Sequence, residues 1–469
     1  MLGGSGAAAA ALLAQKFGRT AETDGLLAAY AIYLVLAIAA QSFRLVVLPR
    51  LAHAASAGEL PAETRAYGIS LLLLAVPATV LVAVLAEPLG ELITGSLPHD
   101  AASTAARALP WFVAGAFLQL LGGVCASALA ASDSYTVAAI GIAAGGVAGL
   151  LLFVLLDSHG VIALAWGLAL NGAIAVGVPL VALASRGLLA GGAPARLSPF
   201  ARLWSLVQGA LLPVAFQCFY LVALRLAAAL GVGHVTSLSY AYVLAATLVS
   251  VTAFALSLIS SVPLTRRRID PASAVAHVVH SAWVSLGLVG AAAGVFAVVG
   301  GRIVHAVLGS AYAGNVGVDL GRLVVELTPW MIAAATFYSL FPLVFVLNVR
   351  RVLVPLSLVA IGVDVDVSYL FRQAWGMTGI ALALAVPTAL VAGVLLWEIS
   401  HKALLAAALA LARLSLVVGG AAVVAFWGAS SVFGAVVAAV VGCLIYGLLL
   451  VAVARFGLRD AWAYVRALH

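Results

Sequence analysis

An all-α polytopic membrane protein is the fold class this sequence predicts, and three observations carry it. Of 469 residues, 65% are hydrophobic and only 8% are charged, where a soluble globular domain is about 45–50% apolar and about 25% charged. The apolar residues fall in about fourteen runs, each judged against the roughly 17–25 residues that cross a bilayer. The second half of the chain also repeats landmarks of the first at a nearly constant offset. Such a composition excludes a soluble enzyme and a disordered protein, and it leaves no room for a soluble catalytic domain.

The runs follow in order. Span 1, 3–17, has an apolar core but no basic segment before it, which makes it a poor signal peptide. At about 1.5 Å per residue it is short for a hydrocarbon core of ~30 Å, so we read it as the second half of a first helix, clipped by a misassigned start codon. Span 2, 25–48, ends at Leu48-Pro49-Arg50. Span 3, 68–86, follows Arg65, and span 4, 110–131, opens on Leu109-Pro110-Trp111. Spans 5 and 6, 136–156 and 161–185, are divided near Gly160. Span 7, 204–230, holds the mid-helix Pro213, and span 8, 235–262, ends at Val262-Pro263-Leu264. Span 9 is 275–300. Span 10, 327–349, opens on Thr328-Pro329-Trp330 and contains Pro342. Spans 11 and 12, 352–373 and 376–398, are divided before Gly376, and spans 13 and 14 are 403–427 and 431–454.

Four landmarks recur in the same order. Pro49 and Pro263 are offset by 214 residues, Gly95 and Gly309 by 214, Pro110 and Pro329 by 219, and Gly160 and Gly376 by 216. The repeat is therefore six spans long. An even number of spans gives both copies the same orientation, a parallel repeat about an axis along the membrane normal, as in transporters that rock two bundles about a cavity. The expected domains are 1–203, the first six-helix bundle and linker; 204–400, the second bundle; and 401–469, spans 13 and 14 with a cytoplasmic tail.

The net charge of +7 comes from 21 Arg and 2 Lys against 16 acids. The bases stand singly in short loops, which carries topology information and argues against nucleic acid. One side of the membrane takes 14 of them and the other 6, with Arg44, Arg225 and Arg413 inside runs. This bias places both termini in the cytoplasm. The composition reads as bacterial, so the expected location is the cytoplasmic membrane. Arg266, Arg267 and Arg268 form a cytoplasmic cluster that anchors topology and would attract anionic lipid. Cys125, Cys218 and Cys443 show neither paired nor metal-ligand spacing. No nucleotide-binding or hydrolase motif is present, so no enzyme, cofactor or metal site is expected.

Lys16-Phe17-Gly18, followed by Glu22-Thr23-Asp24-Gly25, resembles the junction between the first two helices of MurJ/MviN-like lipid II flippases. Leu224-Arg225-Leu226-Ala227, then Gly231-Val-Gly and Ser237-Leu-Ser-Tyr-Ala241, resembles that family's segment from the seventh to the eighth helix. Pro49, Pro263 and the fourteen-span plan fit the same family, which belongs to the multidrug/oligosaccharidyl-lipid/polysaccharide exporter superfamily. The resemblance is to a divergent member. It implies a monomeric flippase working by alternating access, with a headgroup cavity between spans 1–6 and 7–12 and a lipid-tail groove near spans 13–14. The family's cavity arginines lie on its first, second and eighth helices. Here the first helix is short, span 2 reads apolar from Tyr30 to Ala40, and Val243 stands where the family has Arg. The substrate is accordingly expected to be lipid II-like or another lipid-linked glycan. A multidrug or small-solute exporter and a non-transporting scaffold are the alternatives.

Ionisable residues within a membrane are costly and mark function by default. Arg225 lies about five residues from the outer end of span 7, where it either snorkels or faces an anionic headgroup or a gating partner. Arg44, one turn before Pro49, either snorkels or marks the inner rim of the cavity. Gln41, Gln119, Asn171, Gln208, Gln217 and Asn348 line a hydrophilic cavity or hydrogen-bond between helices. Asp364 and Asp366 on span 11 point in nearly opposite directions at 100° per residue, so at least one faces the bundle. The family resemblance implies a cation site at Asp364 and Ser368, with a third position near Leu224, beside Arg225. On that basis Arg225 is expected to pair with Asp364 or Asp366, and transport to couple to sodium, protons or the membrane potential.

Overall fold

The computed structural model describes residues 2–132, 134–191, 198–254, 271–346, 352–399 and 401–453. Among them are sixteen α-helices and no strand. Eleven helical segments are long and apolar enough to cross a membrane. Two further apolar helices are shorter, and the helix over span 1 has 16 residues. The chain divides into two compact units, Met1–Thr236 and Ser237–His469.

The first unit contains α1 (Leu2–Phe17), α2 (Ala21–Ser56), α3 (Leu60–Val84), α4 (Ala86–Thr94), α5 (His99–Ala131), α6 (Tyr135–Leu155), α7 (Ala163–Ser185) and α8 (Pro199–Ala228). α2 lies along α5, α5 along α7, and α7 along α6. α1 packs on α6, α3 and α4 on α5, and α8 on α2. Helices in lipid gain little from the hydrophobic effect against one another and associate through close packing of small residues. The α6–α7 contact shows this, since a Cβ at either Gly149 or Gly167 would fall on the other's carbonyl oxygen. Phe43, Leu51, Tyr67, Phe117, Leu129 and Leu183 fill the space among α2, α3, α5 and α7.

α9 (His234–Val249) begins in the first unit and leads into the second, with a π-helical turn at Ser250–Phe254. The rest of the second unit is α10 (Pro271–Leu308), α11 (Asn315–Glu326), α12 (Thr328–Val346), α13 (Leu353–Ala383), α14 (Ala385–Ile399), α15 (His401–Val432) and α16 (Ala435–Val453). α10 packs on α11, α12, α15 and α16. Its glycines form a notch filled by Phe426 and Tyr446, whose hydroxyl donates to the Gly287 carbonyl at 2.9 Å. The last two helices are thus docked on α10 by shape and by a partly buried hydrogen bond.

Three sequence boundaries move. Helices α2 and α5 extend well beyond spans 2 and 4, and α10 runs to Leu308. Pro110 stands inside α5 rather than at its start. A proline removes one backbone donor, and a packed membrane helix tolerates that when its neighbours re-satisfy the freed groups. The helix of span 7, α8, packs on α2 within the first unit.

The repeat reappears in backbone geometry. Gly95 and Gly309 have φ of 65° and 90°, each one residue past a helix end, and Gly160 and Gly376 have φ of 83° and 56°. A side chain is strained in that left-handed region while glycine is not. The two copies therefore turn at matching places. Gly376 kinks α13 at the boundary expected between spans 11 and 12.

Candidate functional site

The residues of the resemblance motif around Asp24 meet those around Gly231 within the first unit. Thr20 caps α2, its hydroxyl accepting from the Thr23 N–H at 3.2 Å, which leaves Asp24 in the first helical turn. A Cβ at Gly25 would fall on the Ala101 carbonyl, so glycine there lets α5 approach. Asp24 is fully buried. One carboxylate oxygen accepts from the Gly233 N–H, and the other accepts from the Thr236 N–H at 2.8 Å and from the Thr236 hydroxyl. Arg19 donates to the Gly233 carbonyl from Nη2 at 2.8 Å and from Nε at 3.2 Å. The carboxylate therefore caps the first turn of α9, where unpaired N–H groups and the helix dipole favour negative charge.

Asp364 and Ser368 lie on one buried face of α13, and the Ser368 hydroxyl donates to Asp364 Oδ1 at 3.3 Å. Asp364 Oδ2 is buried with no hydrogen-bond partner among the described residues. Asp366 is exposed on the opposite face. Glu326 of α11 accepts from the Thr378 hydroxyl at 3.0 Å and from Arg322 Nε at 2.8 Å, which fixes the segment just past the Gly376 kink.

Arg225 is exposed near the end of α8, and its guanidinium lies against the Gly95 turn. Gln217, on the same helix, is buried. Arg413 is exposed on α15. The side chains of Gln41, Arg44 and Gln208, and residues Arg266, Arg267, Arg268 and Asn348, lie outside the described residues.

Asn171 lines a cavity of about 250 Å³ inside the first unit, bounded by α1, α2, α5, α6 and α7. Gln119 joins it there, donating from Nε2 to the Tyr33 hydroxyl at 2.5 Å. Tyr30 and Tyr33 stack with ring centroids 5.5 Å apart, and Phe112 stands 5.8 Å from Tyr30. Arg225 and Gln217, in the same unit, do not line this cavity.

Sequence reasoning missed two sites. Arg202 is 1% exposed, forms a forked pair with Glu63 at 2.9 and 3.0 Å, and stands 5.5 Å from the centre of the Tyr67 ring. In the sequence it is one of the 14 bases on the side assigned to the cytoplasm. Lys16 and Asp157 form an ion pair that ties the end of α1 to the α6–α7 connection. Neither pairing has a local signal, because the partners are 139 and 141 residues apart.

This arrangement of helices is a polytopic membrane fold shared with solved transporter structures. The lipid II flippase MurJ in an inward closed conformation is similar over 97% of this chain and 97% of its own, with a TM-score of 0.77 at 12% identity. A multidrug resistance MATE family transporter of the MOP superfamily, inward-facing, is similar over 88% of this chain and 95% of its own, with a TM-score of 0.68 at 12% identity. The eukaryotic MATE transporter AtDTX14 is similar over 87% of this chain and 97% of its own, with a TM-score of 0.53 at 15% identity. At these identities the likeness establishes the fold. No protein-family model and no curated protein matches the sequence.

Proposed function

We propose that the chain moves a lipid-linked glycan precursor, lipid II-like in plan, from the inner to the outer leaflet of the bacterial cytoplasmic membrane by alternating access. The observation that supports this best is the length of the fold likeness. The flippase accounts for 97% of the chain and the MATE transporter for 88%. The bias of Lys and Arg supports cytoplasmic termini, with Arg266, Arg267 and Arg268 against anionic headgroups. Arg225 is an exposed cation that we assign to the substrate headgroup, and we assign Arg44, Gln41, Gln217 and Asn171 to substrate passage as well. Asp364 with Ser368 is the group we assign to ion coupling, because a buried carboxyl with an unfilled acceptor can take a proton or a cation. The protein works as a monomer.

A strain depleted of its lipid II flippase tests this reading. Rescue of growth by the chain supports lipid II as substrate. Failure to rescue, together with accumulation of another lipid-linked glycan when the native copy is deleted, moves the substrate to that glycan.

A second reading, export of small solutes, is favoured by the MATE likeness. Raised drug sensitivity on deletion, with no lipid-linked intermediate accumulating, would select it. A folded protein that fails both assays is a scaffold.

A further inference from the structure

The connection from α7 to α8 joins the two six-span repeats, and both of its described ends are fastened to one short stretch of α3. α7 stops in a glycine cap. Gly187 has φ of 69°, its N–H donates to the Ala184 carbonyl at 3.0 Å, and the Leu188 N–H donates to the Leu183 carbonyl at 2.9 Å. This pair of bonds closes the last turn and folds the chain back along the helix. Leu188 and Leu189 accordingly pack on the core shared by α2, α3, α5 and α7. Arg65 of α3 then holds the main chain itself. It donates from Nη1 to the Leu189 carbonyl at 2.7 Å and from Nη2 to the Gly191 carbonyl at 2.8 Å.

The start of α8 is seated on the same turns of α3. Ser198 caps the helix, accepting from the Ala201 N–H at 3.2 Å, and Pro199 stands in the first turn. Arg202 comes next on the inward face, where it forks onto Glu63 beside the Tyr67 ring, and Leu203 packs on the same core. At about 100° per residue, Phe200, Trp204 and Val207 share the opposite face, and all three are exposed. Trp at the end of a membrane helix favours the headgroup level, which holds this end in depth.

A flexible tether keeps its main chain in water and needs no fixed partner. Here Arg202 is 1% exposed, and parting it from Glu63 in place would leave a buried charge without its partner.

We propose that the first two turns of α3, through Glu63, Arg65 and Tyr67, are a fixed seat for the connection between the repeats. The inner end of α8 stays on α3 throughout the transport cycle, and access changes by movement elsewhere in the chain. This rests on the reading of the chain as a transporter, whichever substrate it carries.

The test joins the seat covalently. In the full-length chain with Cys125, Cys218 and Cys443 replaced by alanine, Glu63→Cys and Arg202→Cys are bridged by a reducible bifunctional methanethiosulfonate. Both charges leave together, so neither is stranded. In vesicles the bridged protein should carry substrate at no less than about half the rate of the unbridged protein. A lower rate that returns with dithiothreitol would overturn the proposal, because the seat would then have to open. If the cysteine pair fails to fold, or bridging damages it irreversibly, nitroxide labels at Ile69→Cys and Val207→Cys decide, both positions being exposed on α3 and α8. Their distance distribution should be single and the same with and without sodium and at low and high pH. A second distance whose share changes among those conditions would overturn the proposal. A folded chain that carries no substrate, bridged or unbridged, sinks the transporter reading instead and leaves the seat to be judged by the labels.

Discussion

Asp24 and Asp364 are both fully buried carboxyls on apolar helices, and their surroundings differ in kind. Asp24 has both oxygens filled, by two backbone N–H groups and a hydroxyl at the start of a helix. Asp364 has one oxygen filled by Ser368 and one empty among the described residues. A buried acid whose acceptors are all satisfied is a structural part, because any change in its protonation breaks bonds already made. A buried acid with a vacant acceptor is open to a proton or a cation. The chemistry of the residue is the same in both places, and the number of donors that reach it separates a clasp from a candidate coupling group.

The largest effect is expected where a charge is already matched. Arg202→Met leaves the Glu63 carboxylate without its buried partner, and breaking a buried pair costs about 3–5 kcal/mol. The unfolding midpoint in detergent should fall sharply, and Glu63→Leu added to Arg202→Met should recover most of the loss. If the double variant is no better than the single one, the pair is not what holds α3 to α8.

Asp24→Leu comes next. It strands the buried N–H groups of Gly233 and Thr236, at about 1–3 kcal/mol each. Hydrogen exchange should rise at the first turn of α9, with transport lost only as far as folded protein is lost. Asp364→Asn should show the opposite pattern. It removes no satisfied backbone group, so the unfolding free energy should change by less than about 1 kcal/mol, while the dependence of transport on sodium and pH disappears. A large stability loss at Asp364 with unchanged coupling would erase the distinction. The smallest effect belongs to Asp366→Asn, an exposed substitution expected to stay within about 0.5 kcal/mol and to leave transport intact.

Much of the fold was legible in the sequence because the bilayer constrains it so tightly. Run length marked most spans, and the Gly95/Gly309 and Gly160/Gly376 pairs marked the repeat because only glycine turns easily into left-handed backbone. The opposition of Asp364 and Asp366 followed from helix geometry alone. Other features left no trace. The donors to Asp24 are mostly main-chain groups about 210 residues away, and backbone carries no sequence signal. The cavity is shaped by glycines, where the informative fact is a side chain that is missing. Pro110 misled for a related reason, since its tolerance inside α5 depends on neighbouring helices that sequence reading does not see. Arg202 looked like any other loop charge until Glu63 was brought beside it.

The central claim is that this fold moves a lipid-linked glycan and that Asp364 couples the movement to an ion. The most direct measurement is leaflet accessibility of a polyprenyl-linked glycan in vesicles reconstituted with the purified chain, under imposed sodium and proton gradients. The account predicts gradient-dependent movement to the opposite leaflet by the wild type and by Asp366→Asn, and loss of the gradient dependence in Asp364→Asn. Wild-type vesicles that show no redistribution under either gradient, or Asp364→Asn vesicles with the wild-type gradient response, would contradict it.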